Sequence, residues 1–342
     1  MLHTARCVDD AVADGAVPGI AAAVRVDGRL RLAHVAGTRW RGGPPVTANT
    51  PFDLASVTKA LVGATCAAAA VERGELDPDA PLPEIAGAAP PTLRDLLAHA
   101  GGFAPWRPLY REVLREDWGG ADARAAVIRG ALTTPRESPR GARYAYSDLG
   151  YLAVLAALER TGPIAEAWEA RIRAPSGVAG LTWGAPEAAA TEDCPVRDRR
   201  VIGEVHDLNC AAMGGTSSHA GLFGNAEAVA AYAEAVLAAM VAPDTSPLPG
   251  HGMRALLERA GPGAHRGGWD HATPGGSTGD HFPADTLGHL GYTGTSVWMS
   301  PSRGVVAVLL TNRVHPDDDK RRIRELRRRF HDAVARDLGW GS

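Results

Sequence analysis

Residues 51–66 read Pro51-Phe52-Asp53-Leu54-Ala55-Ser56-Val57-Thr58-Lys59-Ala60-Leu61-Val62-Gly63-Ala64-Thr65-Cys66. A short apolar entry, Phe52 and Leu54, leads to Ser56, and from Ser56 onward Ala, Leu and Val fill a helical stretch. Residues three apart share a helix face, so the Ser56 hydroxyl and the Lys59 amine become neighbours. Ser56 falls in the first turn, where unpaired N–H groups and the positive end of the dipole gather. A lysine held there among apolar neighbours has two reasons to lose its proton, desolvation and an adverse local field. A neutral amine beside a hydroxyl is a nucleophile with its base. The same four residues also read as an N-cap serine followed by a solvated lysine, so the pattern needs partners elsewhere in the chain.

Two further stretches supply them. Arg143-Tyr144-Ala145-Tyr146-Ser147-Asp148-Leu149-Gly150 runs directly into an apolar helix. Gly288-His289-Leu290-Gly291-Tyr292-Thr293-Gly294 opens a β-type run to Pro301, and a second run follows from Gly304 to Asn312 after a Pro-Ser-Arg-Gly turn. Ser56 to Tyr146 spans about 90 residues and Tyr146 to His289 about 140.

In that order the three stretches resemble the serine β-lactamase and penicillin-binding-protein superfamily, and most closely its class C β-lactamase-related hydrolases, the esterase and D-Ala-D-Ala carboxypeptidase-like branch. Ser56-Val57-Thr58-Lys59 resembles the family's Ser-x-x-Lys helix. Tyr146-Ser147-Asp148 matches its Tyr-x-Asn loop, with Asp in place of Asn, and His289-Leu290-Gly291 stands where the family carries Lys-Thr-Gly. Tyr144 is the weaker candidate, because Ser147-Asp148-Leu149-Gly150 continues the pattern from Tyr146. The resemblance implies an α/β (α+β) architecture. An antiparallel sheet flanked by helices is drawn from residues 1–60 and 285–342, with a mainly helical domain, 61–284, inserted between. It also implies a double displacement in which Lys59 and Tyr146 take the Ser56 proton and an acyl-Ser56 intermediate forms. Ser56 and Tyr292 N–H groups would hold the oxyanion, while Asp148, His289 and Gly291 border the substrate. No metal and no organic cofactor is called for.

The departures bear on the substrate. A Lys and a Thr on the strand would bind a carboxylate, whereas His289 is only partly charged near neutral pH and Leu290 cannot hydrogen-bond. Asp148 adds a negative charge. The expectation is a small ester or amide as acyl substrate rather than an anionic cell-wall peptide. An acyltransferase of secondary metabolism shares every motif and stays open, as does a β-lactamase or D-Ala-D-Ala carboxypeptidase. A catalytically silent binding module would predict loss of Ser56, Lys59 or Tyr146, and all three are present.

The rest of the chain is consistent with a soluble enzyme. Its 342 residues carry a formal net charge of -3, which predicts no general affinity for nucleic acid or anionic membrane. Oligomeric state is open. The four cysteines show no C-x-x-C spacing, which argues against zinc, and Cys66 reads as core packing. The first residues lack the basic and apolar regions of a secretory signal, so a cytoplasmic location is expected.

Elsewhere Leu2, Ala5, Val8, Val12 and Ala13 suggest an amphipathic first helix, and Asp27-Gly28 a hairpin turn between two strands. His99 precedes a glycine turn and reads as a loop-ordering residue. His206, Asp207 and His219 tempt toward a triad or a metal, but reads better as loop-tying, since Ser56 already has a base. Gly261 to Asp285 reads as a long loop over the cleft. The Arg-rich stretch Asp317 to Leu338 reads as a terminal helix packed through Ile323, Leu326, Phe330 and Val334, not as a nucleic-acid patch.

Overall fold

Asp27 and Gly28 turn the chain back on itself with Val26 opposite Arg29, a two-residue hairpin loop. Both have positive φ, 48° and 78°, as the hairpin-favouring type I′ turn requires. The hairpin Gly19–Val26 and Arg29–Gly37 forms one side of a six-stranded antiparallel sheet. In space the strands run 29–37, 19–26, 305–311, 296–300, 287–290 and 270–271. The two ends of the chain therefore meet in the sheet centre, with Ile20 opposite Thr311 and Val26 opposite Val305. This is a computed structural model; it describes residues 1–87, 89–315 and 319–340.

Both central strands read as unbroken apolar runs because both sheet faces are covered. Ile20, Ala22, Val24, Val305, Ala307 and Leu309 meet the helices Leu2–Ala13 and Lys320–Asp337 on one face. Ala21, Ala23, Val306, Val308 and Leu310 join the main core on the other, where the helix Ala226–Val241 lies across them. The terminal helices are tied together by Asp337, whose carboxylate accepts from the Thr4 N–H at 2.8 Å and hydroxyl at 2.7 Å.

Three expectations change. The first helix buries Thr4, Cys7, Val8 and Ala11, so its inner face is rotated from the one its apolar residues mark, and Leu2 is 85% exposed. The β-type run from Gly288 to Pro301 is a hairpin, Leu287–Leu290 and Ser296–Ser300, because Gly291 to Thr295 turns the chain. Within 261–285, Asp270–His271 pairs with Gly288 and Leu287 and adds the edge strand. The terminal helix buries the four expected residues together with Arg327 and His331; its expected start at Asp317 lies outside the described residues.

The helix carrying Lys59 is buried from Lys59 to Ala70, which explains its apolar composition all round. It opens as a π-helix, Lys59–Ala64, before continuing as α-helix Thr65–Glu72. The wide turn leaves the Leu61 carbonyl to the Tyr232 hydroxyl at 2.7 Å, the Thr65 hydroxyl at 2.8 Å and the Trp168 indole N–H at 3.1 Å. Such π turns recur at functional sites.

Candidate active site

Ser56 is placed by the strained residue before it. Ala55 has a φ of 46°, a conformation that costs a residue with a Cβ about 1–2 kcal/mol. It is held by Asp53, whose Oδ1 accepts the Ala55 N–H at 2.8 Å and whose Oδ2 accepts the His206 N–H at 2.6 Å. Burial pushes the Asp53 pKa up, and these N–H groups oppose the shift. From the other side the Thr293 hydroxyl donates to the Asp53 carbonyl at 2.7 Å, and the Thr295 hydroxyl to the Leu54 carbonyl at 2.9 Å. Nothing in the sequence singles out Asp53, Thr293 and Thr295 beyond their place beside two motifs.

Lys59 is fully buried, and its Nζ donates to Ser56 Oγ at 2.8 Å. The same Nζ lies 2.6 Å from Asp148 Oδ1. The Tyr146 hydroxyl lies within interaction range of both Ser56 and Lys59. Lys59 also sits 5.0 Å from the ring centre of Tyr146 and 5.4 Å from that of Tyr151. Two stretches about 90 residues apart, one carrying Ser56 and Lys59 and the other Tyr146 and Asp148, thus share one cluster.

The protonation state differs from the sequence expectation. Burial favours a neutral Lys59, but the charge of Asp148 and the Tyr146 hydroxyl outweigh it and push the amine up to about 12. At rest Lys59 is an ammonium donating to Ser56, not a free base. Burial raises Tyr146 too, with Asp148 adding to the rise and Lys59 opposing it, so it rests as a phenol.

Tyr146 is oriented by two elements. Ser147 caps the helix Asp148–Leu158 by accepting the Gly150 N–H at 3.0 Å, and its own N–H donates to His99 Nδ1 at 3.1 Å. The His99 ring packs on Tyr146 with centroids 4.3 Å apart. Tyr144 turns away to His265 Nδ1, 3.0 Å off.

His289 is 1% exposed, donates from Nδ1 to the Leu290 carbonyl at 2.8 Å, and borders the same cleft as Ser56. Burial, with His265 and Lys59 nearby, holds it well below its ordinary pKa, so it is neutral rather than partly charged. Gly291 does not simply make room for a ligand. A Cβ there would lie 2.0 Å from Thr295 Oγ1 and 2.5 Å from the Leu54 carbonyl, so glycine lets the hairpin dock on the Ser56 segment. Tyr292 is half-exposed at the cleft mouth, its ring stacked on His206 at 5.3 Å.

Two lobes meet at Ser56, Tyr146, Tyr292 and Lys320. One, of about 610 Å³, is bordered by Arg313, Lys320, Arg324, Arg327 and Arg328. The other, of about 630 Å³, is bordered by Trp106, Asp148, Glu192, His206 and Asp207. The sequence reading that the cleft disfavours anions did not include these cations. Asp148 is paired with Lys59, and the terminal helix adds cations that only folding brings to the cleft.

Among the described residues, His206, Asp207 and His219 make no hydrogen bond with Ser56. His206 pairs with Glu192 at 3.3 Å. Asp207 caps the helix Leu208–Ala212 by accepting the Cys210 N–H at 2.7 Å and meets His219 Nε2 at 3.1 Å. Ser217 Oγ lies 2.7 Å from His219 Nδ1, completing the atoms of a triad, but Ser217 is fully buried, out of a substrate's reach.

Among the described residues, His99, His265 and His289 have the spacing of a metal site. Their chemistry fits poorly. Ser147 N–H occupies His99 Nδ1, so the neutral ring keeps its proton on Nε2, the nitrogen left for a metal. The four cysteines are free and buried.

A serine hydroxyl, a buried lysine and a tyrosine meeting in a cleft between an antiparallel sheet and helices define a class of acyl-transferring hydrolases. The chain belongs to the beta-lactamase family, whose model matches residues 4–331. It is 27% identical over 306 residues to an Escherichia coli K12 protein provisionally named D-alanyl-D-alanine carboxypeptidase, covering 79% of this chain and 70% of that one. A penicillin-binding-protein homologue from Caulobacter crescentus superposes with a TM-score of 0.71 at 18% identity, covering 97% of each chain. The hydrolase EstCE1, described as having promiscuous acyltransferase activity, superposes with a TM-score of 0.72 at 20% identity, covering 96% of this chain and 98% of that one. The structural matches establish the shared fold, and the chain is a β-lactamase-fold member of the serine hydrolase superfamily. Among the described residues no helix is long and apolar enough to cross a membrane.

Proposed function

We propose that the protein is a serine hydrolase working through an acyl-enzyme on Ser56, with small esters or amides as substrates. The observation that carries this reading is Ser56 Oγ at 2.8 Å from Lys59 Nζ, with the Tyr146 hydroxyl close to both. Reaction begins in molecules whose Lys59 has given up its extra proton. The Lys59 amine, with Tyr146, takes the Ser56 proton as Oγ attacks the carbonyl carbon. The carbonyl electron pair moves to oxygen, which the Ser56 and Tyr292 N–H groups would hold. Collapse expels the leaving group, which takes a proton from Tyr146 as Lys59 returns one to the phenol oxygen. Water, or an alcohol or amine acceptor, then releases the acyl group by the reverse sequence. That last choice separates an esterase from an acyltransferase, and EstCE1 is described as doing both.

A second reading is favoured by the basic lobe. Arg327 is 6% exposed, and among the described residues it meets no carboxylate at ion-pair distance; its Nη2 donates to the Gly291 and Thr295 carbonyls. Burial, then Arg313 and Arg324, lower it to about 9. A substrate carboxylate would relieve that repulsion, as the terminal carboxylate of a D-Ala-D-Ala peptide would.

Intact-protein mass spectrometry tests both readings. Wild type and Ser56→Ala are exposed briefly to p-nitrophenyl acetate, a fluorophosphonate and a penicillin, and release of D-Ala from a D-Ala-D-Ala peptide is followed separately. Adducts on wild type alone, with ester turnover, support the first reading. Peptide turnover in place of ester turnover moves it to the second, and no adduct with any reagent removes Ser56 as nucleophile.

A further inference from the structure

Behind the segment 203–207 lies a separate cavity of about 280 Å³. It shares no residue with either lobe at Ser56. Gly203, Glu204 and Val205 border it, whereas His206 and Asp207, next in the chain, border the catalytic cleft.

The lining is rich in hydrogen-bond donors that meet nothing. Arg197 is 4% exposed; its Nη2 donates to the Val205 carbonyl at 2.7 Å, but among the described residues its buried Nη1 has no acceptor. Trp118 and Trp183 also border the cavity, and among the described residues their buried indole N–H groups likewise have no acceptors. Guanidinium and indole groups can only donate, so nothing within this set can satisfy another member. Buried polar groups are nearly always paired, so three unpaired donors on residues that border one cavity favour an acceptor close to it.

Charge says which acceptor. The cavity is bordered by three guanidinium groups, Arg115, Arg197 and Arg199, against one carboxylate, Glu204. Glu204 is already held by Arg199 at 2.6 Å, and both are about half-exposed. Arg115 donates to the Val196 and Arg197 carbonyls at 2.5 and 2.7 Å, fixing the loop that carries Arg197. Arg197 acts at a distance on Asp53, Glu192 and Glu204, but among the described residues no carboxylate reaches it as an ion pair. Gly215 leaves open space on the wall, since a Cβ there would touch nothing within 4 Å.

We propose that this cavity binds a small oxyanion, a carboxylate or a phosphate, held by Arg197 with the indole N–H groups of Trp118 and Trp183. A guanidinium offers paired N–H groups matched to two oxygens of such an anion. A neutral acceptor could meet the indoles but would leave the excess positive charge unanswered.

The test titrates the full chain with sodium phosphate and, separately, sodium citrate at constant ionic strength in chloride, by calorimetry and tryptophan emission. Saturable binding of at least one anion is expected, with an emission change because two tryptophans line the site; the tighter anion tells phosphate from carboxylate chemistry. Arg197→Gln should weaken binding at least about tenfold. Should Arg197→Gln fail to fold, because Nη2 holds Val205, Trp183→Phe removes the N–H donor along with part of the ring and should weaken binding at least about threefold to tenfold. No saturable response to either anion in the wild type overturns the proposal. So does unchanged affinity in the folded variants.

Discussion

Lys59 Nζ stands 2.6 Å from Asp148 Oδ1 while donating to Ser56 Oγ at 2.8 Å. One amine thus serves the nucleophile and a carboxylate at once. The carboxylate stabilises the ammonium, so Asp148 sets the pH at which Ser56 gains a base.

Asp148→Asn removes the charge that lifts Lys59 to about 12, leaving burial to lower it. Since the reactive form is the one with Lys59 deprotonated, the acid limb of the pH–rate profile should move toward lower pH by about one unit or more. One unit corresponds to about 1.4 kcal/mol of lost interaction. The rate of fluorophosphonate labelling of Ser56 against pH reads this directly, and a limb that stays put would remove Asp148 from control of Lys59.

Tyr146 and Tyr144 are two residues apart but differ in what they touch. Tyr146→Phe deletes the hydroxyl shared by Ser56 and Lys59 and should cost about 10²–10⁴ in kcat for ester hydrolysis. Tyr144→Phe loses a bond to His265 and should leave kcat within about threefold, in line with the loss of one neutral hydrogen bond. Equal losses in steady-state kinetics would remove Tyr146 from proton transfer.

Gly291→Ala places a Cβ 2.5 Å from the Leu54 carbonyl, part of the backbone that presents Ser56. Overpacking of this kind costs about 1–3 kcal/mol. The urea midpoint should fall accordingly, and ester turnover with it, because the displaced backbone leads into Ser56. An unchanged midpoint would mean that the hairpin can shift freely.

Buried histidines predict the acid side of the stability curve. His99 and His289 lie well below their ordinary pKa and His265 is lowered to about 3, burial being the first cause in each. Unfolded, each takes up a proton near pH 6.5, so their contribution is complete above that pH and is lost as pH falls toward the folded values. Between about pH 6 and 4, each should contribute up to about 1.4 kcal/mol of lost stability per pH unit. His206, raised despite burial by its pairing with Glu192, acts in the opposite sense. His289→Gln should flatten the slope of unfolding free energy against pH; an unaltered slope would show that His289 is not buried as a neutral ring.

What the sequence determined by itself is local chemistry and its order. Ser56 and Lys59 are neighbours because three residues of helix bring them together, and Asp27-Gly28 closes a hairpin because both accept positive φ. The two-faced apolar runs at 19–26 and 305–311 announce buried strands, and the motif order gives the fold family. Tertiary structure decided everything that depends on which surfaces meet. No spacing rule says that Asp148 will lie against Lys59, and that contact reverses the expected charge of the amine. No local pattern says that the basic side of the terminal helix will border the cleft, or that Arg197 and two tryptophans will border a separate cavity. Helical periodicity reports which side of an element is apolar. The charge state of a buried group depends on neighbours brought from elsewhere in the chain, because in a low-dielectric interior one carboxylate at ion-pair distance outweighs the cost of burial.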